Sequence, residues 1–341
     1  MMSLFKSVFP RTQSEQGLVS AIMALEAYDR RSIAMVNRSL SLFKDMTEDQ
    51  KKQAAAVGYL ERMHKIVDRI QQNGRFIEDI AQFARSAHNI GQQDGYEDPS
   101  YRVVELLEHY ARDWSEEYAE HRNKLFEPVL KLLEPLASQG RGMRVLIPGA
   151  GLARFAYEVE RLGMNAVAVE YSWLMHLGNQ FLKKNYQNSY HIYPFVHEQS
   201  HHRSEMGQLR SVLTPDNPQL LSDHHPILVQ GDFTKMTPEE YGQFDALVTI
   251  FFIDTAENLF DYLDAIYRML KPGGLWINYG PLKWGTAPKV VLTLEELQKI
   301  MENSGKWKIE KQFEDKHSYN GDPQALWNAY YIAQGWSAIK Q

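Results

Sequence analysis

VLIPGAGLARFAYEVERLGMNAVAVEYS, residues 145–172, is the stretch on which the fold turns. A short apolar run enters a turn carrying Gly149 and Gly151. A helix-like segment follows, and a second apolar run ends in Glu170. Glycine lets the backbone turn tightly and approach a ligand closely. A carboxylate about 20 residues beyond such a turn, at the end of the second strand, can accept both hydroxyls of an adenosine ribose. NAD, flavin and S-adenosylmethionine sites all use this strand–turn–helix–strand unit, so it points to a nucleotide-type pocket without choosing the nucleotide.

Working outward, PILVQGDF (226–233), FDALVTIFFI (244–253) and GGLWINYG (273–280) read as further strands. LFDYLDAIYRMLKPGG (259–274) reads as a helix that stops at its Gly pair. Alternating strands and helices predict a parallel sheet covered on both faces. WKIEKQFED (307–315) and YYIAQGWSAIK (330–340) fit a closing antiparallel pair. In GDF, at a strand end, Asp232 can bind an adenine amino group and Phe233 can stack on the ring. Arg154 occupies the sixth fingerprint position, where dinucleotide folds carry Gly or Ala. The expected fold is therefore α/β: a class I methyltransferase-like Rossmann sheet, mostly parallel with an antiparallel closing strand, preceded by an all-helical region.

Residues 17 to 130 carry helical periodicity. Leu60, Met63, Val67 and Ile70 form one stripe, and Phe76, Ile77, Ile80, Phe83, Ala84 and Ala87 another. GQQDGYEDPS (91–100) reads as a loop. VVELLEHYARDWSEEYAEHRNKLFEPVLKLLEPL predicts two more helices, broken before Pro128. The apolar stripes admit two partners, the catalytic domain or a second copy in a homodimer. The expected division is a helical region over 1–140, contributing to the cofactor site, and a cofactor-binding domain over 141–341. A lid or substrate insertion is expected at 181–225, where the chain supplies far more than a crossover needs.

Composition narrows the classes. The 341 residues are 44% hydrophobic and 23% charged, as a globular protein with a real core requires. The absence of cysteine excludes disulfides, thiolate metal sites and cysteine nucleophiles. A net charge of −6 with no lysine–arginine run argues against nucleic acid and for a small substrate. No apolar run is long enough to span a bilayer. MMSLFKSVFPRTQSEQG lacks the apolar core of a secretory signal, so no membrane partner is expected. A cytoplasmic location fits, with a nuclear one also open. HEQSHH spaces His197 and His201 as a helical metal pair would, but no third ligand is evident and no metal is expected.

FFIDTAEN (251–258), with VLIPGAGLAR, YPFVHEQSHHR, ARDWSEE and MVNRSL, resembles the carnosine N-methyltransferase family. Its members transfer a methyl group from S-adenosylmethionine to an imidazole nitrogen of carnosine, leaving S-adenosylhomocysteine. The resemblance implies cofactor contacts at His109, Arg112, Gly149, Gly151, Glu170, Asp232, Phe233 and Ile250. Arg112 would pair with the cofactor's carboxylate, a task suited to a guanidinium. His109 stands where the family usually has Gln, and Ala153 where it has Gly. Asp254 matches the family acid that contacts the methyl-accepting ring and is the catalytic candidate. On the substrate side the resemblance implies Tyr193, His197, Tyr330 and Tyr331 as well. After the GPL turn, where the family carries a substrate-holding His, this chain has Trp284 and Gly285, and Trp284 is the aromatic expected in the pocket. Ala329 replaces the first residue of the family's tyrosine cluster. Three other readings stand beside this one: the same fold acting on another amine, amino acid or peptide N-terminus; a cofactor-binding interaction protein with a degenerate acceptor site; and, remotely, a dehydrogenase.

Overall fold

A computed structural model describes residues 15–91, 102–140, 142–285, 287–319, 321–322 and 324–341. Residues 1–14 of the stretch read for a signal, and all but the first residue of the loop expected at 91–100, lie outside them. The strands of residues 145–172 pair as their apolar runs require. β1 (Arg144–Pro148) lies parallel to β2 (Asn165–Glu170), with Val145 opposite Ala166 and Pro148 opposite Val169. β3 (Tyr190–Ile192) and β4 (Val212–Thr214) form a separate antiparallel pair. β5 (Ile227–Gln230), β6 (Phe244–Ile250), β7 (Leu270–Gly280), β8 (Trp307–His317) and β9 (Tyr331–Lys340) complete the main sheet, in the order β5-β2-β1-β6-β7-β9-β8. Pairings from β5 to β7 are parallel, and β9 runs antiparallel to both β7 and β8. Strand order reverses between β1 and β6, which opens a crevice beyond their carboxyl ends.

Alternate residues of the strands enter two cores. Val145, Ile147, Ala166, Ala168, Ala246 and Val248 face one layer. Leu146, Val167, Val169 and Leu247 face the other. A period of two with both faces apolar is what a parallel sheet buried on both sides demands.

The helical region comprises α1 (Glu15–Glu26), α2 (Tyr28–Lys44), α3 (Glu48–Ala56), α4 (Tyr59–His88), α5 (Val103–Trp114) and α6 (Ala119–Ala137); all but α3, which packs on α4 and buries no side chain, cover the first core. The two stripes read before and after residue 74 belong to the single long helix α4, where Met63, Ile70, Phe76, Ile77, Ile80 and Ala84 are buried and Val67 is half-buried. After β1 comes α7 (Arg154–Arg161), and after β2 comes α8 (Trp173–Lys184). α1, α4 and α5 pack on α8, so the helical layer seats its stripes on the sheet domain. The Tyr110 hydroxyl donates to the Gly178 carbonyl at 2.6 Å across the α5–α8 crossing.

Two expected breaks move. Pro128 does not interrupt its helix but lies inside α6, as does Pro135. The chain breaks instead at Ser115, which is extended (φ −118°, ψ 150°). Arg122 donates to the carbonyls of Arg112 and Ser115 (3.0 and 2.9 Å) and so satisfies the end of α5. Pro128 costs α6 one hydrogen bond and about 3 kcal/mol. Lys124, whose carbonyl loses that bond, is exposed to solvent, and burial of Leu125, Phe126, Val129 and Leu133 offsets the cost. The Gly pair at 273–274 does not end the preceding helix either. α9 (Glu205–Leu209), α10 (Pro218–Asp223) and α11 (Pro238–Tyr241) precede α12 (Leu259–Met269), which stops before the pair is reached. Proline forces the residue before it toward extended backbone. The segment at 270–274 is therefore already strand, with a register jump from Phe244↔Leu270 to Ala246↔Leu275. α13 (Leu294–Asn303) closes the second face.

Residues 181–184, expected to open the insertion, are the last turn of α8. The rest folds as the β3–β4 pair with α9 and α10 and is tied to the helical layer by buried polar bonds. Asn73 exchanges two bonds with the Tyr193 backbone (2.9 and 2.8 Å). Asp216 receives Arg122 on one oxygen (2.5 Å) and Arg154 on the other (2.8 Å). Arg154 in turn lies over the Trp114 ring.

Candidate active site

The Gly-rich turn leaves β1 with Gly149 at φ +66° and Gly151 at φ +55°, both in the left-handed region that favours glycine. A Cβ on Gly149 would stand 2.3 Å from the Phe252 ring, so only glycine fits. Ala153 is also left-handed (φ +57°) and buried; the methyl that departs from the family pattern is accommodated at a cost of about 1–2 kcal/mol.

Glu170 ends β2 under this turn. Its carboxylate accepts the Gly151 N–H (2.7 Å) on one oxygen and the Ser172 N–H (2.8 Å) on the other. Burial pushes its pKa up, against the pull of these donors. These donors fix the group, and its remaining acceptor capacity is left for ligand hydroxyls. Gly149, Gly151, Glu170, Asp232, Phe233 and His109 all line one cavity of about 670 Å³, a size that suits a nucleoside-bearing cofactor. Asp232 caps the turn after β5 through the Thr234 N–H (2.9 Å) and hydroxyl (2.7 Å). The Phe233 ring meets Phe252 and Tyr262 edge-on, and those two stack at 4.8 Å.

Arg112 and His109 come from α5. The Arg112 guanidinium is only 8% exposed. It donates to both Asp113 oxygens (2.6 and 2.9 Å) and lies 3.1 Å from His109 Nδ1. Its Nη1 is buried with no partner. Burial and the adjacent guanidinium lower His109 to about 3, so this imidazole is neutral. Arg112, His109, Gly149, Gly151 and Ile250 meet in a smaller cavity of about 70 Å³ beside the large one.

Asp254 lies on a single 3₁₀ turn after β6 and is 6% exposed. Its Oδ2 accepts the Lys283 N–H at 2.9 Å, and its carbonyl accepts the Gly285 N–H at 3.2 Å. Burial raises its pKa, opposed by the Lys283 contacts. The following helix α12 is capped by Asn258. With Lys283, Gly285 and Tyr331 it lines a second cavity of about 490 Å³. A Cβ on Gly285 would meet nothing within 4 Å, so this position leaves space.

Four expected substrate residues lie elsewhere. The Trp284 indole faces the second core and donates to the Leu292 carbonyl at 2.9 Å. Tyr330 is 54% exposed beneath Lys316 and lines neither cavity. Tyr193 is held by Asn73 and faces Arg69. The His197 ring bonds the Tyr28 hydroxyl at 2.8 Å, and burial lowers it to about 4. Their loops turn these side chains toward the helices, the core or solvent. His201 has φ +66°, so it shares no helix with His197 and the two do not stand as an i, i+4 helical pair.

Phe251, Tyr319 and Lys283, which lines the acceptor cavity, were missed. Phe251, left-handed at φ +49°, lines both large cavities and the small one. Tyr319 does the same, stacked on Phe251 (4.9 Å) and under Arg112 (4.5 Å). His121 bonds the Tyr319 carbonyl at 3.2 Å. The FF pair after a strand was the only available signal for Phe251; nothing in SYNGD singles out Tyr319.

A seven-stranded sheet in this order, with an acid at the end of β2 beneath a Gly-rich turn and a cavity at the switch point, defines a class I S-adenosylmethionine-dependent methyltransferase. Magnesium protoporphyrin IX methyltransferase from Synechocystis is a solved structure similar to this chain, at 11% identity and a TM-score of 0.41, covering 76% of this chain and 95% of that one. A family profile described as carnosine N-methyltransferase matches residues 92–341, and the chain belongs to that family. Carnosine N-methyltransferase of Dictyostelium discoideum is 31% identical, over 86% of this chain and 69% of that one. The Schizosaccharomyces pombe carnosine N-methyltransferase is 30% identical, over 94% of this chain and 93% of that one.

Proposed function

We propose that this enzyme methylates an imidazole nitrogen of carnosine or a closely similar histidine dipeptide, with Asp254 orienting the ring. The observation that carries this reading is the placement of buried Asp254 in a cavity that shares Phe251 and Tyr319 with the Glu170 cavity.

The residues present suit S-adenosylmethionine. The unpartnered Arg112 Nη1 is a buried donor for its carboxylate, the fixed Glu170 carboxylate is an acceptor for its ribose, and Asp232 with Phe233 would hold adenine. Bound there, the cofactor supplies an electrophilic sulfonium methyl. Free imidazole has a pKa of roughly 6.5 and is mostly neutral at pH 7. Asp254 accepts the ring N–H, which leaves the other nitrogen's lone pair exposed. The same carboxylate stabilises the positive charge that develops on the ring and then takes up the released proton. Alignment of this kind supplies several kcal/mol. Lys283, whose ammonium lies 3.3 Å from the Tyr331 hydroxyl on the same wall, is a counter-charge for the acceptor's carboxylate.

The test is methyl transfer from labelled cofactor to carnosine, histidine, N-terminal peptides and simple amines, by wild type and Asp254→Asn. Transfer to carnosine that is lost in the variant is expected. Space at Gly285 favours one second reading, an acceptor of different bulk; transfer confined to another member of the panel would establish it. Cofactor binding with no transfer to any acceptor would overturn both.

A further inference from the structure

The cofactor and acceptor cavities share a wall made by two rings, Phe251 and Tyr319. Neither residue belongs to a strand or helix. Phe251 follows β6 with left-handed backbone (φ +49°), a conformation that persists only where the surroundings hold it. Tyr319 stands two residues beyond the end of β8.

A pair of histidines backs both rings. His317, the last residue of β8, is 4% exposed and meets the Phe251 ring edge-on at 6.1 Å. His121, on α6, donates its Nε2–H to the Tyr319 carbonyl at 3.2 Å. The two imidazole centroids lie 4.5 Å apart, and His317 Nε2–H donates to the His121 carbonyl at 3.4 Å. α6 and the end of β8 are thus clasped in both directions, each imidazole donating to main chain on the other side. Burial lowers both pKa values, and at His121 the neighbouring His317 adds to it, so the pair is neutral at pH 7 and packs without repulsion.

The wall behind which they stand sets a distance that matters for the chemistry. Tyr319 lies under the Arg112 guanidinium (4.5 Å), the donor for the cofactor's carboxylate, and also lines the acceptor cavity. A shift of this wall therefore moves methyl donor and acceptor relative to one another. Reacting atoms must approach to about 3–3.5 Å in line, and a misplacement of about 1 Å costs on the order of 10²-fold in rate.

We propose that His121 and His317 are positioning residues for methyl transfer: by fixing Tyr319 and Phe251 they set the alignment of the methyl donor with the acceptor nitrogen. The role rests on the acceptor reading above and adds to it two residues that line neither cavity. Their loss should therefore appear in the rate of the bound complex and not in affinity.

Single-turnover rates at saturating cofactor and acceptor test this, using whichever acceptor the wild type methylates. Calorimetry gives the cofactor Kd, and the acceptor Kd with S-adenosylhomocysteine bound. His121→Leu should lower the rate about tenfold or more and leave both Kd values within about threefold. His121→Gln, whose amide N–H reaches the same carbonyl, should return the rate to within about threefold of wild type. His317→Phe keeps a ring against Phe251 but loses the donor; it should lower the rate by about three- to tenfold, and it serves if His121→Leu folds poorly. An undiminished rate in these variants, an equal loss in His121→Leu and His121→Gln, or a loss confined to affinity would overturn the proposal alone. A wild type that transfers to no acceptor would overturn the acceptor reading and this role with it.

Discussion

The cofactor cavity and the acceptor cavity share Phe251 and Tyr319, yet they are built differently. The first gathers the carboxyl ends of β1, β2 and β5, where consecutive residues such as Gly149–Gly151 and Asp232–Phe233 fall into place once the strands pair. The second draws Asp254 from the turn after β6, Lys283 and Gly285 from the loop after β7, Tyr319 from beyond β8 and Tyr331 from the start of β9. A parallel sheet standardises one half of the site. Loops far apart in the chain individualise the other.

The sharpest test of that separation is Asp254→Asn. It should lower kcat/KM for the acceptor by about 10²- to 10³-fold while leaving cofactor affinity within about twofold, measured by steady-state kinetics and cofactor titration. A comparable loss of cofactor affinity would merge the two cavities into one functional unit. Glu170→Gln is the mirror experiment. Removing the charge that meets the ribose should weaken cofactor binding by about 10- to 100-fold, with a much smaller change in acceptor KM at saturating cofactor.

A pH series tests the frame that holds both cavities. Burial depresses His109 to about 3 and His121, His176 and His197 to about 4. Unfolded histidines bind protons near pH 6.5 and the folded ones do not. Stability from these groups is thus fully present above about pH 6.5 and is lost as pH falls toward 4, by up to about 1.4 kcal/mol per pH unit for each neutral ring. Thermal melts between pH 7 and pH 4.5 should show Tm falling in that window, and His197→Gln should flatten the slope. The smallest effect is expected from Trp284→Phe. Loss of the bond to Leu292 should cost about 1 kcal/mol in a denaturant titration, with kcat/KM changed less than about threefold. A larger kinetic loss would return Trp284 to the pocket.

The two cavities were unequally legible in the sequence for a physical reason. Gly149, Gly151, Glu170, Asp232 and Phe233 are positioned by strand period and turn chemistry, which local sequence encodes. Asp254 could be named only through the FFIDTAEN resemblance, because its setting depends on the Lys283 backbone across the chain. Aromatic or histidine content in a loop carries no direction. The resemblance therefore named Trp284, Tyr330, Tyr193 and His197 without their directions, while Tyr319, set by His121 and Arg112, gave no sign. The helical stripes were plain, but the break at Ser115 was not, since Arg122 reaches back seven residues to make it.

Asp216 carries a consequence for how this chain can be cut or grafted. Its carboxylate is the shared counter-ion of two guanidiniums, one on α6 and one on α7, and the first of these also holds the end of α5 that bears Arg112. Excising residues 185–226 to reach a minimal sheet would leave Arg122 with carbonyl acceptors alone, at about 3–5 kcal/mol, and Arg154 with Glu158 as its one carboxylate. The insertion is thus no detachable accessory. It is a keystone, and the helical layer, the insertion and the sheet should melt as one cooperative unit.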